Sequence, residues 1–231
     1  MKPYYEHAGI TIYHGDCREI LPQLPKVDGV LTDPPYGHGW AGIASSAPGC
    51  RGWTNRRAEK IVGADIPFDP QFLIKLDVPC ILWGANHYAD KLPPSAGWLV
   101  WDKREGTATN NLSDCEMAWR NVGGSARLFR HMWNGLCRAS EVGDHLHPTQ
   151  KPIELMQWCL GFLPNSRLIL DPFAGSGTTL IAAKNLNRRA IGIEIEEKYC
   201  EIAAKRLSQE VFAFPEFAMS KQDGGPGPGS S

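Results

Sequence analysis

The stretch 31-LTDPPYGHGW-40 puts an acid, two prolines and an aromatic ring at the end of 27-VDGVLT-32, an apolar run that reads as a strand. Proline has no N–H to give to a sheet ladder, so Pro34 and Pro35 stop the strand and stiffen the chain beyond it. Asp33 and Tyr36 are then held at a rigid strand terminus, although an ordinary turn-forming aspartate before proline reads the same way. A second stretch, 168-LILDPFAGSGTTLIAA-183, runs strand, glycine-rich turn, helix. Gly175 and Gly177 let the backbone turn sharply, and the start of the helix offers free N–H groups to a polar or negative ligand. A phosphate-cradling P-loop needs a lysine after its last glycine, where Thr178 and Thr179 stand instead. The next strand, 190-AIGIEI-195, carries Glu194 at its tip, an acid placed to accept both hydroxyls of a ribose. An adenosine-type cofactor fits this pair of features; a dinucleotide would want a third glycine at Leu180, and helix capping is an equally open role for Glu194.

Positioning these groups requires a sheet. Strand-like runs that end in a loop and give way to helical patterns recur, the sign of a mostly parallel sheet with helices on its faces. The strands expected are 10–14, 27–32, 78–83, 98–101, 115–119, 168–170 and 190–195. Helices are expected near 17–24, 69–76 with Asp69 as cap and Pro70 at its first position, 152–163, 177–187 and 196–208. The last shows Tyr199, Ile202, Ala203 and Leu207 on one face.

With 231 residues and 42% hydrophobic content the chain can build one sizeable α/β core. Its net charge of -1 gives no global basic signature, so nucleic-acid binding would have to rest on a local basic face. The cysteines are odd in number, at 17, 50, 80, 115, 137, 159 and 200, without C-x-x-C spacing, which argues against a disulfide framework and a zinc site and for a reducing cytosol. Neither a signal-peptide core nor a run of membrane-helix length is present, so a soluble intracellular protein, without membrane or metal, is expected. Cys80 lies mid-strand between apolar neighbours and reads as a small buried hydrophobe rather than a nucleophile.

With DPPY at 33–36 and DPFAGSGTT at 171–179, the chain resembles the S-adenosylmethionine-dependent DNA methyltransferases that modify the N6 of adenine or the N4 of cytosine. The block order, DPPY, a variable region, 147-HPTQKP-152 and then the cofactor glycines, is similar to the beta group of that family. The resemblance implies a Rossmann-like methyltransferase fold of about seven mostly parallel strands, permuted so that the catalytic half precedes the cofactor half. It implies catalysis at Asp33, Pro34, Pro35 and Tyr36. It gives the cofactor Asp16, Asp33, Asp171, Phe173, Gly175, Gly177, Thr178 and Glu194, with His147, Thr149 and Lys151 opening a helix beside its methionine end. Lys151 would meet the methionine carboxylate. The target base would be flipped out of the duplex, since its amino group cannot be reached inside the stack.

Two windows, 34–58 and 117–140, hold no acid. The first carries Arg51, Arg56 and Arg57; the second carries Arg120, Arg127, Arg130 and Arg138 beside His131. Ordinary glycine-rich surface loops would look alike, but facing phosphates and bases suits them. The expected organisation is a methyltransferase domain over 1–210, with a DNA-facing loop near 38–62 and a target-recognition insertion near 118–146, followed by a flexible tail over 211–231. Asn86 and His87 are candidates for the pocket floor. Trp101, Asp102 and Lys103 end a strand near the same edge, where packing and a surface ion pair serve as well. Adenine N6 in double-stranded DNA is the favoured target, ahead of cytosine N4. Methylation of RNA or of a protein amide, and a non-catalytic DNA-binding role, stand behind them. The family resemblance also implies a homodimer.

Overall fold

The computed structural model describes residues 1–37, 62–63, 65–105, 113–134, 137–140 and 150–209. In chain order the first half gives β1 (Tyr5–His7), β2 (Ile10–His14), α1 (Cys17–Ile20), β3 (Gly29–Thr32), α2 (Gln71–Ile74), β4 (Cys80–Trp83), β5 (Trp98–Asp102) and β6 (Cys115–Arg120). There follow β7 (Arg127–Arg130), a hairpin of β8 (Trp133–Asn134) and β9 (Cys137–Arg138), α3 (Ile153–Leu160), β10 (Leu168–Asp171), α4 (Thr178–Asn185), β11 (Arg189–Glu194) and α5 (Glu197–Ser208).

Among the described residues one nine-stranded sheet runs in the order β1-β2-β11-β10-β3-β4-β6-β5-β7. Its central five strands are parallel, and only β1 and β6 run against the rest. Every residue of β3, β4 and β10 is buried, as strands covered on both faces require. The period of two assigns them to opposite layers. Leu31, Ile81, Trp83 and Ile169 pack under α3, α4 and α5, whereas Val30, Cys80, Leu82, Leu168 and Leu170 pack under α1, α2 and Tyr88.

All seven expected strands and all five expected helices are present, with ends shifted by a few residues. The sheet exceeds the expected seven strands at both edges. β1 is three residues long and mostly exposed, and β7 buries none of its residues, so neither has the apolar pattern that marks a strand in sequence. Residues 118–120 and 127–130 of the expected insertion belong to β6 and β7 of the main sheet, while its β8 and β9 form a separate two-stranded hairpin. On α5 the buried face is Tyr199, Cys200, Ala203 and Leu207; Cys200 takes the place expected of Ile202 because it lies one turn before Ala203 and beneath the end of β11. Pro70 rather than Asp69 holds the N-cap position of α2; Asp69 lies one residue ahead of it, its Oδ1 accepting from the Gln71 N–H at 3.1 Å.

The chain leaves β10 through α4 for β11 on one side, and leaves β3 for β4 on the other. Adjacent parallel strands that depart in opposite directions open a crevice beyond their carboxyl ends. Asp171 and Asp33 stand at that crevice, and the two strands are tied there by the Thr32 hydroxyl, which donates to Asp171 Oδ1 at 2.6 Å.

Candidate active site

Asp33 leaves β3 into Pro34 and Pro35, and both oxygens of its carboxylate are engaged. Oδ1 accepts from the Tyr36 hydroxyl and Oδ2 from the Lys151 ammonium. Lys151 sits just ahead of α3 with its side chain 6% exposed, and its Nζ also lies 2.9 Å from Glu116 Oε2 and 3.5 Å from the Tyr36 hydroxyl. The contact with Glu116 is an ion pair without hydrogen-bond alignment. The other Glu116 oxygen accepts from Lys103 Nζ at 2.9 Å. A chain of alternating charge, Asp33, Lys151, Glu116, Lys103, therefore joins β3 to the ends of β6 and β5.

Burial pushes the Asp33 carboxyl above the usual aspartate range and Glu116 adds to this, while Lys151 acts in the opposite direction. Burial would also raise Glu116, but Lys151 and Lys103 outweigh it and hold that carboxyl down at about 2. The same two carboxylates overcome the desolvation of Lys151 and keep it firmly protonated. Burial, with Asp33 and Glu116 beside it, holds the Tyr36 hydroxyl well above its ordinary value, so it stays a donor.

The Tyr36 ring stacks on His87 at 4.9 Å between centroids with 24° between planes. Beside it, Gly84 has φ 68°, and a Cβ there would come within 1.8 Å of the Tyr36 ring. Only glycine permits both the left-handed turn after β4 and the seat of the ring.

On the cofactor side, Asp171 Oδ1 also accepts from the Phe173 N–H at 3.1 Å, and burial lifts this carboxyl to about 6. Phe173 is half-buried, edge-on to Phe68 at 5.6 Å. Gly177 ends the turn at φ 83°, where a Cβ would meet Ala203 Cβ at 2.8 Å. Glu194 accepts from the Gly175 N–H and the Glu196 N–H, each at 2.8 Å, and burial raises its carboxyl against the pull of those two donors. Asp16 follows β2, whose last residue pairs with Glu194, and it caps α1 by accepting from the Arg18 N–H at 2.8 Å. Thr178 is buried, and its hydroxyl lies 3.4 Å from the Arg206 guanidinium of α5, which also donates to Ser176.

The structure thus gathers Asp33, Pro34, Pro35, Tyr36 and Lys151 at one end of β3 and Asp16, Asp171, Phe173, Gly175, Gly177 and Glu194 at the neighbouring strand ends. Lys151 lies on Asp33 and Glu116 within the DPPY corner. His147, Thr149, Arg51, Arg56 and Arg57 lie outside the described residues, as does the loop over 38–61. Arg127 and Arg130 are exposed on the edge strand β7. His131 is turned inward: it is 5% exposed, stacks on Phe129 at 5.8 Å, and spends its ring nitrogens on Ser140 and Glu154. Glu116 escaped the sequence reading, and Lys103 pairs with it across β5 and β6 rather than forming an isolated surface pair. Its signal is a lone acid in an otherwise apolar strand, 115-CEMAW-119. Burial pushes the Cys80 thiol up and no nucleophile is created there. Among the described residues no group of His, Cys, Asp and Glu has metal-site geometry, and no helix is long and apolar enough to cross a membrane.

The N6_N4_Mtase family, described as DNA methylase, matches residues 81–205, more than half of the 231-residue chain. The type II methyltransferase M.HinfI of Haemophilus influenzae is 42% identical over 257 residues, covering 86% of this chain and 68% of that protein. The type II methyltransferase M.ScaI of Streptomyces caespitosus is 28% identical over 265 residues, covering 90% of this chain and 84% of that protein. Among solved structures, PvuII DNA methyltransferase, described as cytosine-N4-specific, aligns with a TM-score of 0.58 at 18% identity over 90% of each chain. The complex of M1.HpyAVI with SAM aligns with a TM-score of 0.51 at 22% identity, over 87% of this chain and 100% of that one. The two structures speak for the fold.

Proposed function

Because this chain belongs to the N6-adenine/N4-cytosine DNA methylase family, we propose that it transfers a methyl group from S-adenosylmethionine to the exocyclic N6 of an adenine flipped out of duplex DNA. The observation that carries the reading is the placement of Asp33 and Tyr36 at the end of β3, across the crevice from the glycine turn that follows β10.

The residues at the crevice suit that cofactor. Each Glu194 oxygen gives one lone pair to a backbone N–H and keeps another for a ribose hydroxyl. The turn at Gly175 and Gly177, both at positive φ, brings the chain tightly round beside Glu194, and Asp16 stands one strand away, where an adenine edge would lie. S-adenosylmethionine supplies an electrophilic sulfonium methyl group.

An exocyclic amine is a poor nucleophile because its lone pair is spread into the ring. Asp33 and the Pro34 carbonyl accept hydrogen bonds from the NH2 group and draw the nitrogen towards a tetrahedral geometry with a usable lone pair. As the N–C bond forms and the S–C bond breaks, positive charge grows on nitrogen beside the Asp33 carboxylate; the spare proton then leaves along that hydrogen bond towards solvent. Positioning and electrostatic stabilisation carry the step. Tyr36 offers its ring to the flipped base, and unstacking that base costs a few kcal/mol. The arginines at 51, 56, 57, 127 and 130 would meet the DNA, and pairing of two copies is part of the same reading.

Cytosine N4 presents the same kind of amine, so the product decides. Incubation of duplex DNA with methyl-labelled cofactor, followed by nucleoside analysis, should yield N6-methyladenine. Label in N4-methylcytosine alone would shift the target, and no methylated base on any DNA would sink the reading. Asp33→Ala should abolish transfer while cofactor binding by calorimetry persists.

A further inference from the structure

Lys151 stands between two carboxylates that belong to different parts of the sheet. Asp33 follows β3 in the crevice, and Glu116 sits on β6, two strands away. Without a cation between them, two half-buried acids at this spacing would share a proton, since like charges in a poorly hydrated site cannot both ionise cheaply. Glu116, clasped by Lys103 as well, would keep its charge, and the proton would fall to Asp33. A protonated Asp33 presents an O–H where the amino group needs an acceptor. The groups facing Asp33 are Lys151 ahead of α3, Tyr36 on its own loop, Glu116 on β6, Tyr88 in the layer below and Asp171 on β10. Among them Lys151 is the cation.

We propose that Lys151, anchored by Glu116, is a positioning residue for methyl transfer: it keeps the Asp33 carboxylate ionised and aimed into the crevice, so that Asp33 serves the target amino group purely as an acceptor. The proposal rests on the DNA-methylation reading. It also differs from a role for Lys151 on the methionine carboxylate of the cofactor. An ammonium on that carboxylate would leave Asp33 facing Glu116 with no cation between them, and only Glu116 would keep a partner, Lys103. Each Asp33 oxygen has a second lone pair, so the amino group can enter without expelling Lys151 or the Tyr36 hydroxyl.

The test is single-turnover transfer to duplex DNA across pH for the parent, Lys151→Met, Lys151→Arg and Glu116→Gln, with S-adenosylmethionine affinity measured by calorimetry. Lys151→Met should slow transfer about 100-fold near neutral pH, move the acid limb of the rate profile to higher pH and leave cofactor affinity within about threefold. Lys151→Arg should restore most of the rate. Glu116→Gln should move the acid limb the other way, because it removes a negative charge from beside Asp33. Opposite displacements are not produced by loss of packing. If Lys151→Met loses cofactor affinity as steeply as rate with its acid limb unmoved, or changes neither, the proposal is wrong. If Lys151→Met does not fold, the direction of the Glu116→Gln shift decides, and an unmoved limb overturns the proposal. A parent enzyme that methylates no DNA would instead refute the underlying reading.

Discussion

The Tyr36 hydroxyl donates to Asp33 while the ring lies on His87, so two substitutions separate hydrogen bonding from stacking. Tyr36→Phe keeps the ring and should slow transfer by roughly tenfold, the loss of one hydrogen bond to a carboxylate at about 1.5 kcal/mol. Tyr36→Ala should lose about 1–3 kcal/mol of base stacking as well, seen as weaker fluorescence change when 2-aminopurine replaces the target base; equal effects from both variants would contradict a stacking role. Asp171 offers a pH test. Its carboxyl is pushed up to about 6 in the folded state, above an unfolded aspartate, so the folded protein binds this proton more tightly. The group therefore lends stability at low pH that is lost as pH rises through about 6. Asp171→Asn keeps an acceptor for Thr32 and Phe173 and cannot ionise. Its Tm should match or exceed the parent's above about pH 7, and the gap should close by about pH 4.

At the scale of elements, the turn after β4 ties backbone shape to chemistry. Gly84→Ala puts a methyl group into the Tyr36 ring and forces alanine into a left-handed conformation, a backbone penalty of about 1–2 kcal/mol. The sheet beneath does not depend on that ring, so circular dichroism should stay native while methyl transfer falls by more than the change in stability explains. The strands that carry the site were legible in sequence because they are buried on both faces and read as continuous apolar runs. β7 was not legible: Arg127, Leu128 and Arg130 are exposed and nothing in their pattern marks an edge strand. It exists because β5 offers a parallel edge and Phe129 packs on Trp158 of α3.

For the whole molecule, a net charge of -1 means that DNA attraction must come from local placement of arginines. Arg127 and Arg130 stand exposed on β7, with Arg130 only loosely paired to Asp102 at 3.9 Å. Alanine at both should weaken DNA binding and flatten the dependence of log affinity on log salt by about one to two; an unchanged salt slope would remove β7 from the DNA face. The sequence by itself determined the reacting groups and their order. Prolines that cannot extend a ladder place Asp33 and Tyr36 at a strand end, and a glycine turn before a helix, followed by an acid-tipped strand, marks a cofactor cleft. Those are local consequences of backbone chemistry. Tertiary structure alone decided that Asp33 shares Lys151 with Glu116, because that contact spans 118 residues of chain and depends on β6 lying next to β4. It also decided which groups are buried. The charge state of a carboxylate is set by its neighbours and by its distance from water, and neither is written in local sequence.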